Sequence, residues 1–222
     1  MGVAEERRER LARMRLYLIT GDRGDEVETA RIVEAALEGG ANIIQLRKKS
    51  MPMREQYRLA LALRTLTSAH EALLIINDYA DLAIAADADG VHLGQDDFPP
   101  DAVRALPGFE GRLIGRSTHR LEQARAAIDE GADYIAVGPV YPTPTKAGRP
   151  AVGTGLVKEV AAIADRPFVA VGGIDHDNAP GVVAAGAGAI AVVRAVYDAV
   201  DPAEAARRLH ELIVTRLEVA RR

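Results

Sequence analysis

The segment at residues 137–153 combines residue types that bind an anion with residue types that hold a loop rigid. Thr143, Thr145 and Lys146 place two hydroxyl groups and an ammonium group close together, and all three can donate hydrogen bonds to a phosphate. The prolines of the segment fix their φ angles, while Gly148 and Gly153 permit sharp turns. Long loops on rigid scaffolds often carry binding residues, so we expect an anion-binding loop. A solvated lid without a ligand is the alternative.

A second group of polar residues follows an apolar run at residues 42–46. Gln45, Arg47 and Lys49 alternate in the sequence, so their side chains share one face of an extended segment. An amide and two cations on one face suit an anionic ligand that also carries a polar ring. A solvated run of charges is the alternative, and it is the better interpretation of this run taken alone.

Two aspartates follow the next two apolar runs. Asp78 comes with Asn77 directly after the third run, and Asp97 follows the fourth. If these runs are neighbouring strands, the two carboxylates converge and form an oxygen-rich site. The chain contains no cysteine, so the site favours Mg²⁺ over zinc; capping of the next helix is the alternative role for Asp97. His92, between apolar residues, is expected to be a packed or hydrogen-bonded core residue without a catalytic role.

Hydroxyls and glycines mark the ends of the later apolar runs. Ser117 and Thr118 follow the fifth run, where either could instead cap the following helix. Gly173 follows the seventh run and Val193-Arg194 follows the eighth, and glycine lets backbone N–H groups approach phosphate oxygens, so we expect a cradle for a monophosphate there. No Ser/His/Asp grouping has a recognisable spacing. The residues therefore favour positioning and charge stabilisation of a leaving diphosphate over nucleophilic catalysis.

These residues need a scaffold that brings the ends of separate apolar runs together. The runs alternate with helical patterns, and we predict strands at residues 15–20, 42–46, 73–76, 90–93, 112–115, 133–137, 168–171 and 189–193. The runs are continuous rather than alternating, as expected when both faces of a sheet are covered. One helix-to-strand junction also recurs, as Gly40-Ala41-Asn42, Gly131-Ala132-Asp133 and Gly186-Ala187-Gly188.

This repetition predicts an α/β fold, a (β/α)₈ TIM barrel, in which the carboxyl ends of the strands and the loops after them form the active site. We predict a single domain at residues 15–222, preceded at residues 1–14 by a short polar helical extension with a solvated face. A doubly wound open sheet is the alternative. Residues 20–25, however, lack the GxGxxG spacing that would favour such a sheet.

Composition narrows the classes of partner. The formal net charge is -4 and only 4% of residues are aromatic, which argues against nucleic-acid partners. The absence of cysteine fits a reducing cytoplasm, and the charged beginning of the chain lacks the apolar region of a signal peptide. No apolar run is long enough to span a bilayer. We expect a cytoplasmic protein that acts on small-molecule substrates without a membrane partner, and a homo-oligomer stays open.

Six motifs, taken in order along the chain, closely resemble the thiamine-phosphate synthase family. They are Gln45-Leu46-Arg47-Lys48-Lys49, Asn77-Asp78, VHLGQDD at residues 91–97, Gly115-Arg116-Ser117, GPVYPTPTK at residues 138–146 and Val171-Gly172-Gly173-Ile174. Each motif alone is modest, but six in sequence over nearly the whole chain are highly specific. The resemblance implies a TIM barrel that joins hydroxymethylpyrimidine diphosphate to thiazole phosphate, or its carboxylated form, giving thiamine phosphate and pyrophosphate.

The resemblance also implies a role for each matching residue. The C–O bond to the diphosphate breaks with dissociative character, and the thiazole nitrogen, which has no proton to lose, then attacks without a general base. Lys146, Arg47 and Ser117 are expected to act in catalysis. The residues expected to hold the pyrimidine diphosphate are Gln45, Arg47, Lys49, Asn77, Ser117 and Lys146. Those expected to hold the thiazole phosphate are Thr143, Thr145, Gly173, Val193 and Arg194, and those expected to hold Mg²⁺ are Asp78 and Asp97.

Two residues depart from the family pattern. Arg194 stands where a serine is commoner, and Lys48 replaces a residue that is usually acidic and is expected to face solvent. A thiazole tautomerase with the same barrel is one alternative, but it does not need the diphosphate and metal equipment of Asp78, Asp97 and Lys146. A thiamine-phosphate-binding regulator without turnover and a phosphosugar isomerase or lyase, which would want a base at a strand end, are the others.

Overall fold

A computed structural model describes residues 2–144 and 149–220 of the chain. Its parallel strands close into a barrel in chain order, and the eighth strand pairs with the first. The strands are β1 (Leu16–Ile19), β2 (Ile43–Leu46), β3 (Leu73–Asn77), β4 (Gly90–Leu93), β5 (Leu113–Thr118), β6 (Tyr134–Val137), β7 (Phe168–Val171) and β8 (Ile190–Val192). The predicted TIM barrel is confirmed, and the open sheet is excluded.

Helices cover the outside of the barrel between successive strands. They are α1 (Val3–Ala12), α2 (Glu26–Glu38), α3 (Met53–Ala69), α4 (Ala80–Ala85), α5 (Pro100–Arg104), α6 (Leu121–Asp129), α7 (Gly153–Ala161), α8 (Ala179–Ala184), α9 (Arg194–Tyr197) and α10 (Pro202–Ala220). The short helix α9, directly after β8, has no counterpart in the sequence-based prediction. In the described part of the chain, no helix is long and apolar enough to cross a membrane.

Two layers of apolar side chains flank the strands, which explains why the strands are apolar on both faces. The inner layer fills the barrel and includes Tyr17, Ile43, Leu73, Leu113, Tyr134 and Val169. The outer layer joins the strands to the helices and includes Leu18, Ile44, Leu74, Leu59, Leu63 and Val157. The inner layer ends below the carboxyl ends of the strands, where the inward-facing side chains become polar.

The N-terminal helix α1 closes the opposite end of the barrel. Leu11 and Met14 are buried in the inner layer. The guanidinium Nε of Arg7, also buried, donates to the Asp89 carboxylate at 3.0 Å. The predicted helical extension is therefore confirmed, but only one of its faces is solvated. Its other face packs under the strands.

The recurring helix-to-strand junction has a hydrogen-bonding role. The Asn42 side chain accepts from the Arg15 backbone N–H at 3.1 Å, the Asp89 side chain from Leu74 at 2.9 Å, and the Asp133 side chain from Ile114 at 2.8 Å. In each case a residue just before one strand pairs with a backbone donor at the start of the preceding strand. The junction before β8 has Gly188 at this position and cannot use the same device.

Strand β5 is longer than predicted, and this moves two site residues. Ser117 and Thr118 belong to the strand and are buried, whereas we expected them to follow it. Helix α6 is preceded by Arg120 at its N-cap position, so neither residue caps it. The Thr118 hydroxyl instead donates to the Ala136 carbonyl of β6 at 3.2 Å. The capping alternative for this pair is therefore wrong.

Candidate active site

A cavity of about 300 Å³ opens at the carboxyl ends of the strands. Residues from both halves of the chain line it, together with apolar side chains such as Ile19, Val169 and Val171. The predicted site residues among its lining are Gln45, Arg47, Asn77, Ser117, Thr143, Gly173, Val193 and Arg194. The barrel thus brings these residues together as expected. Thr145 and Lys146 lie outside the described residues.

A chain of buried hydrogen bonds crosses the floor of the cavity. The Gln45 amide Nε2 lies 2.7 Å from the Tyr17 hydroxyl, which lies 2.9 Å from the Tyr134 hydroxyl. The Tyr134 hydroxyl lies 3.1 Å from His92 Nδ1, and His92 Nε2 lies 2.9 Å from Ser117 Oγ. All five side chains are at most 7% exposed. His92 is therefore a hydrogen-bonded core residue, as predicted.

Gly115 of β5 makes room for this chain. A Cβ atom built at Gly115 would lie 2.1 Å from Cζ of the Tyr134 ring and 2.4 Å from its hydroxyl oxygen. Only a residue without a side chain lets the ring lie across β5 and reach both Tyr17 and His92. Burial raises the pKa of Tyr17 and of Tyr134 above the usual range for tyrosine, so both phenols stay protonated at neutral pH.

The cations after β2 are held by the loop after β1. The Thr20 hydroxyl accepts from the Arg47 backbone N–H at 2.8 Å and donates to the Arg47 carbonyl at 3.2 Å. Asp22 accepts from the Lys49 backbone N–H at 3.1 Å, and its other carboxylate oxygen lies 3.5 Å from Arg47 Nη1. The sequence prediction missed both Thr20 and Asp22. Together they fix the direction in which the two cations leave β2.

Asp78 and Asp97 converge beside these cations. The pKa of the Asp78 carboxyl is raised by burial and by the neighbouring Asp97, which lies within hydrogen-bonding reach. Lys49 Nζ lies 3.6 Å from the Asp78 carboxylate and opposes this shift. Asp78 has a φ of 65°, in the left-handed region that aspartate and asparagine tolerate better than most residues. The predicted convergence of the two carboxylates is thus observed.

The donor set of this pair fits a magnesium ion. Mg²⁺ is commonly held by one or two carboxylates together with water and substrate phosphate oxygens. No cluster of three or more His, Cys, Asp or Glu side chains able to hold a metal occurs within residues 2–144 and 149–220. Two close carboxylates, whose mutual repulsion a divalent cation would relieve, leave positions for the oxygens of a diphosphate.

The loop after β4 holds Asp97 in place. The Gly94 backbone N–H donates to the Asp97 carboxylate at 2.6 Å, and the Gln95 amide donates to the Ser117 carbonyl at 2.6 Å. The buried Arg116 reaches from β5 to the Phe98 carbonyl at 3.0 Å. Asp97 does not cap helix α5, whose N-cap position is Pro99. Its capping alternative is therefore wrong.

The opposite wall of the cavity is built from glycines and backbone. Gly172 and Gly173 both have positive φ, and a Cβ atom at Gly173 would lie 2.8 Å from the Pro142 carbonyl oxygen and from Tyr141 Cβ. The loop after β6 therefore packs directly on the turn after β7, which requires glycine there. Val193 at the N-cap position of α9 and Arg194 at its first turn complete this wall.

Lys48 does not face solvent, contrary to our prediction. It is 2% exposed, and its Nζ donates to the carbonyls of Arg23 and Gly24 and to the Tyr197 hydroxyl at 3.0 Å. The ammonium also lies 5.3 Å from the centre of the Tyr197 ring. Burial lowers the pKa of Lys48. The side chain therefore ties the loop after β1 to α9, on the outer side of the strands.

Comparisons with known proteins agree with this geometry. A sequence model of the family described as thiamine monophosphate synthase matches residues 16–196. A thiamine-phosphate synthase from Mycolicibacterium vanbaalenii is 46% identical over 204 residues, which cover 87% of this chain and 91% of that protein. The chain belongs to the thiamine-phosphate synthase family.

Two further relatives of the thiamine-phosphate synthase family are informative. A thiamine-phosphate synthase from Gloeobacter violaceus is 51% identical over 195 residues, covering 88% of this chain but only 56% of that protein. This chain thus spans about half the length of that relative. The solved structure of a thiamine phosphate pyrophosphorylase from Pyrococcus furiosus superposes with a TM-score of 0.84 at 36% identity, covering 95% of this chain and 98% of that one.

The residues missed by sequence reasoning are those whose role depends on tertiary contacts. Tyr17 and Tyr134 lie within apolar runs and look like core residues of this thiamine-phosphate synthase family member until their hydroxyls are seen to meet. Thr20 and Asp22 follow β1, where the search for site residues had the right end of the barrel but no local motif. A polar residue inside an otherwise apolar strand is the one signal that could have found the tyrosines.

Proposed function

We propose that this protein joins a 4-aminopyrimidine carrying a CH₂-diphosphate to a thiazole phosphate, releasing pyrophosphate and forming thiamine phosphate. Supporting this are the family to which the chain belongs and the two anion-binding regions on opposite walls of one cavity. The carrying observation is that Asp78 and Asp97 converge beside Arg47 and Lys49. This grouping suits a diphosphate with its metal ion, which the alternative thiazole tautomerase would not need.

The cationic side of the cavity is suited to the departing diphosphate. The methylene C–O bond breaks and its electron pair goes to the diphosphate oxygen. Arg47 lines the cavity and Lys49 stands next to Asp78, so both can stabilise the charge that develops on that oxygen. Lys146, predicted from the sequence to do the same, lies outside the described residues. Mg²⁺, held by Asp78 and Asp97, would supply additional charge stabilisation to the diphosphate.

The second half of the reaction needs positioning more than acid–base chemistry. The thiazole nitrogen uses its lone pair to form the new C–N bond, and no proton has to leave. The glycine turn at Gly172 and Gly173 and the backbone at Val193-Arg194 would hold the thiazole phosphate across the cavity from the cations. Thr143 lines the same cavity and could add a hydroxyl donor. Holding both reactants in one cavity supplies the proximity that such a coupling requires.

The test is product formation from the two purified substrates. We expect thiamine phosphate and pyrophosphate to appear in equal amounts with Mg²⁺ and to be absent with EDTA, as measured by mass spectrometry and a pyrophosphate assay. Binding of both substrates without any product would instead indicate the non-catalytic regulator. Product formation that is indifferent to EDTA would contradict the assignment of a metal to Asp78 and Asp97 while leaving the coupling reaction intact.

A further inference from the structure

The buried hydrogen-bond chain on the cavity floor links the two residues best placed to contact a pyrimidine ring. Gln45 of β2 stands at one end and Ser117 of β5 at the other, with Tyr17, Tyr134 and His92 between them. Both ends line the cavity, while the two tyrosines are at most 1% exposed. The chain therefore runs from one ligand-facing side chain to the other through the interior of the barrel.

Each hydroxyl in the chain can give one proton and must give it to a partner. Tyr17 has only Gln45 and Tyr134 as partners within the described residues, and Tyr134 has only Tyr17 and His92. A buried hydroxyl whose proton has no acceptor loses about 1–3 kcal/mol. If Gln45 donates to Tyr17, then Tyr17 must donate to Tyr134, and Tyr134 must donate to His92 Nδ1. With a neutral imidazole, His92 then carries its proton on Nε2 and donates it to Ser117.

Only one other order satisfies every link, and it reverses all of them. Ser117 would then donate to His92, His92 to Tyr134, Tyr134 to Tyr17, and Tyr17 to the carbonyl oxygen of a turned Gln45 amide. The first order pairs the more acidic phenol proton of Tyr134 with the basic nitrogen of His92. The reverse order gives that nitrogen role to the proton of the alcohol Ser117, which is a poorer donor. Hydrogen-bond strength therefore favours the first order.

We infer that this chain sets what the cavity offers to the ring: a hydrogen-bond acceptor at Gln45 and a hydrogen-bond donor at Ser117. Tyr17, Tyr134 and His92 are positioning residues, since they act through the two end residues. The ends are coupled, because turning one around requires every link to turn. This inference rests on the proposed function and deepens it by naming the specificity it builds. A 4-aminopyrimidine offers an amine donor and ring-nitrogen acceptors, whereas a 4-oxopyrimidine offers the opposite pattern on the same edge.

The first test reads the proton position in the free protein and needs no substrate. Long-range ¹⁵N–¹H spectra of histidine side chains distinguish the Nε2–H from the Nδ1–H tautomer. We expect His92 to be entirely Nε2–H in the unaltered protein, assigned by the loss of its signals in His92→Gln. An Nδ1–H tautomer would overturn the proposed order. Because this measurement is independent of turnover, it stands even if the proposed reaction fails.

The second test uses two variants that remove one hydroxyl each. Tyr134→Phe removes the donor to His92 Nδ1, and we expect a mixture of tautomers. Tyr17→Phe is the matched control, because Tyr134 still has His92 as an acceptor, and we expect the Nε2–H tautomer to persist. The same tautomer populations in both variants would contradict the inference. Circular dichroism melting of each variant separates this outcome from loss of the fold.

The third test reads specificity with the amino and oxo forms of the pyrimidine diphosphate. We expect the unaltered protein to prefer the amino form in kcat/KM by about 10³-fold or more, since a site built to exchange specific hydrogen bonds rejects a ligand with the reversed pattern. Tyr134→Phe uncouples the two ends and should reduce this preference at least about tenfold. An equal loss of activity toward both forms, with the preference retained, would indicate a purely structural role for Tyr134.

Discussion

Replacing Lys48 with methionine should destabilise the protein without touching the cavity. The ammonium donates to the carbonyls of Arg23 and Gly24 and to the Tyr197 hydroxyl. Hydrogen bonds from a charged donor contribute about 1.5–3 kcal/mol each, and the cost of burying the ammonium, seen in its lowered pKa, offsets part of their sum. We expect Lys48→Met to lower the free energy of unfolding by about 3 kcal/mol.

A loss of this size is easily measured. For a chain of this length, 1 kcal/mol corresponds to about 2–4 °C in melting temperature, so Lys48→Met should melt roughly 6–12 °C lower. Its neighbour provides the control. The Lys49 side chain is 59% exposed and pairs only with Asp78 among the described residues, so Lys49→Met should change stability by less than about 1 kcal/mol. Lys49→Met should instead lower kcat/KM for the diphosphate substrate.

The two lysines are therefore expected to separate stability from activity. Calorimetry or thermal circular dichroism measures the first property, and steady-state pyrophosphate release measures the second. If Lys48→Met melts at the same temperature as the unaltered protein, the buried ammonium does not hold the loop after β1 against α9. If Lys49→Met is the less stable of the two, the assignment of their environments is reversed.

Three further outcomes follow from the geometry of the site. Asp78→Asn should raise the melting temperature in EDTA, because it removes a buried charge that faces Asp97, and it should abolish any stabilisation by Mg²⁺; a lower melting temperature in EDTA would contradict this. The free energy of unfolding should fall as pH rises above 10, because the unfolded phenols ionise first while burial holds the pKa of Tyr17 and Tyr134 above that value; a denaturant titration should give a contribution to the slope of about 1.4 kcal/mol per pH unit from each, lost for one of them in Tyr134→Phe. Gly115→Ala should displace the Tyr134 ring and be destabilised by more than about 2 kcal/mol in the same titration, and a change below about 0.5 kcal/mol would show that the ring is not confined there.

The barrel and its active end could be predicted because they depend on local patterns. Continuous apolar runs, each followed by a helical pattern, define the strands, and the rule that sites lie at the carboxyl ends then orders the polar residues. The convergence of Asp78 and Asp97 followed from the adjacency of β3 and β4 alone. No contact had to be known in advance.

Lys48 shows where this local reasoning fails. Alternation correctly separated Lys48 from Arg47 and Lys49, which point toward the site. The outward face of a barrel strand, however, meets the helix layer rather than water. The partners that make burial of an ammonium tolerable there, Arg23 and Tyr197, lie about 25 and 149 residues away in the sequence. Nothing in the local sequence announces them.

The buried tyrosines illustrate a second limit. Tyr17 and Tyr134 occupy apolar runs and fit the inner layer by size alone. Their hydroxyls meet only because the barrel closes and because Gly115 leaves room for one ring. The polar side chain of Arg116 likewise hid the end of β5, because a charge inside an apolar run suggests a strand end. Its partner, the Phe98 carbonyl, is again a tertiary contact.

The most direct test of the whole account is the Mg²⁺ dependence of pyrophosphate release in two neighbouring variants. Asp97 faces Asp78, whereas Asp96 beside it is exposed. We predict that Asp97→Asn loses about 100-fold or more in kcat/KM at low Mg²⁺ and recovers partly at high Mg²⁺, while Asp96→Asn matches the unaltered protein. The same Mg²⁺ dependence in Asp97→Asn and in the unaltered protein would contradict the central claim that these carboxylates hold the metal for the diphosphate.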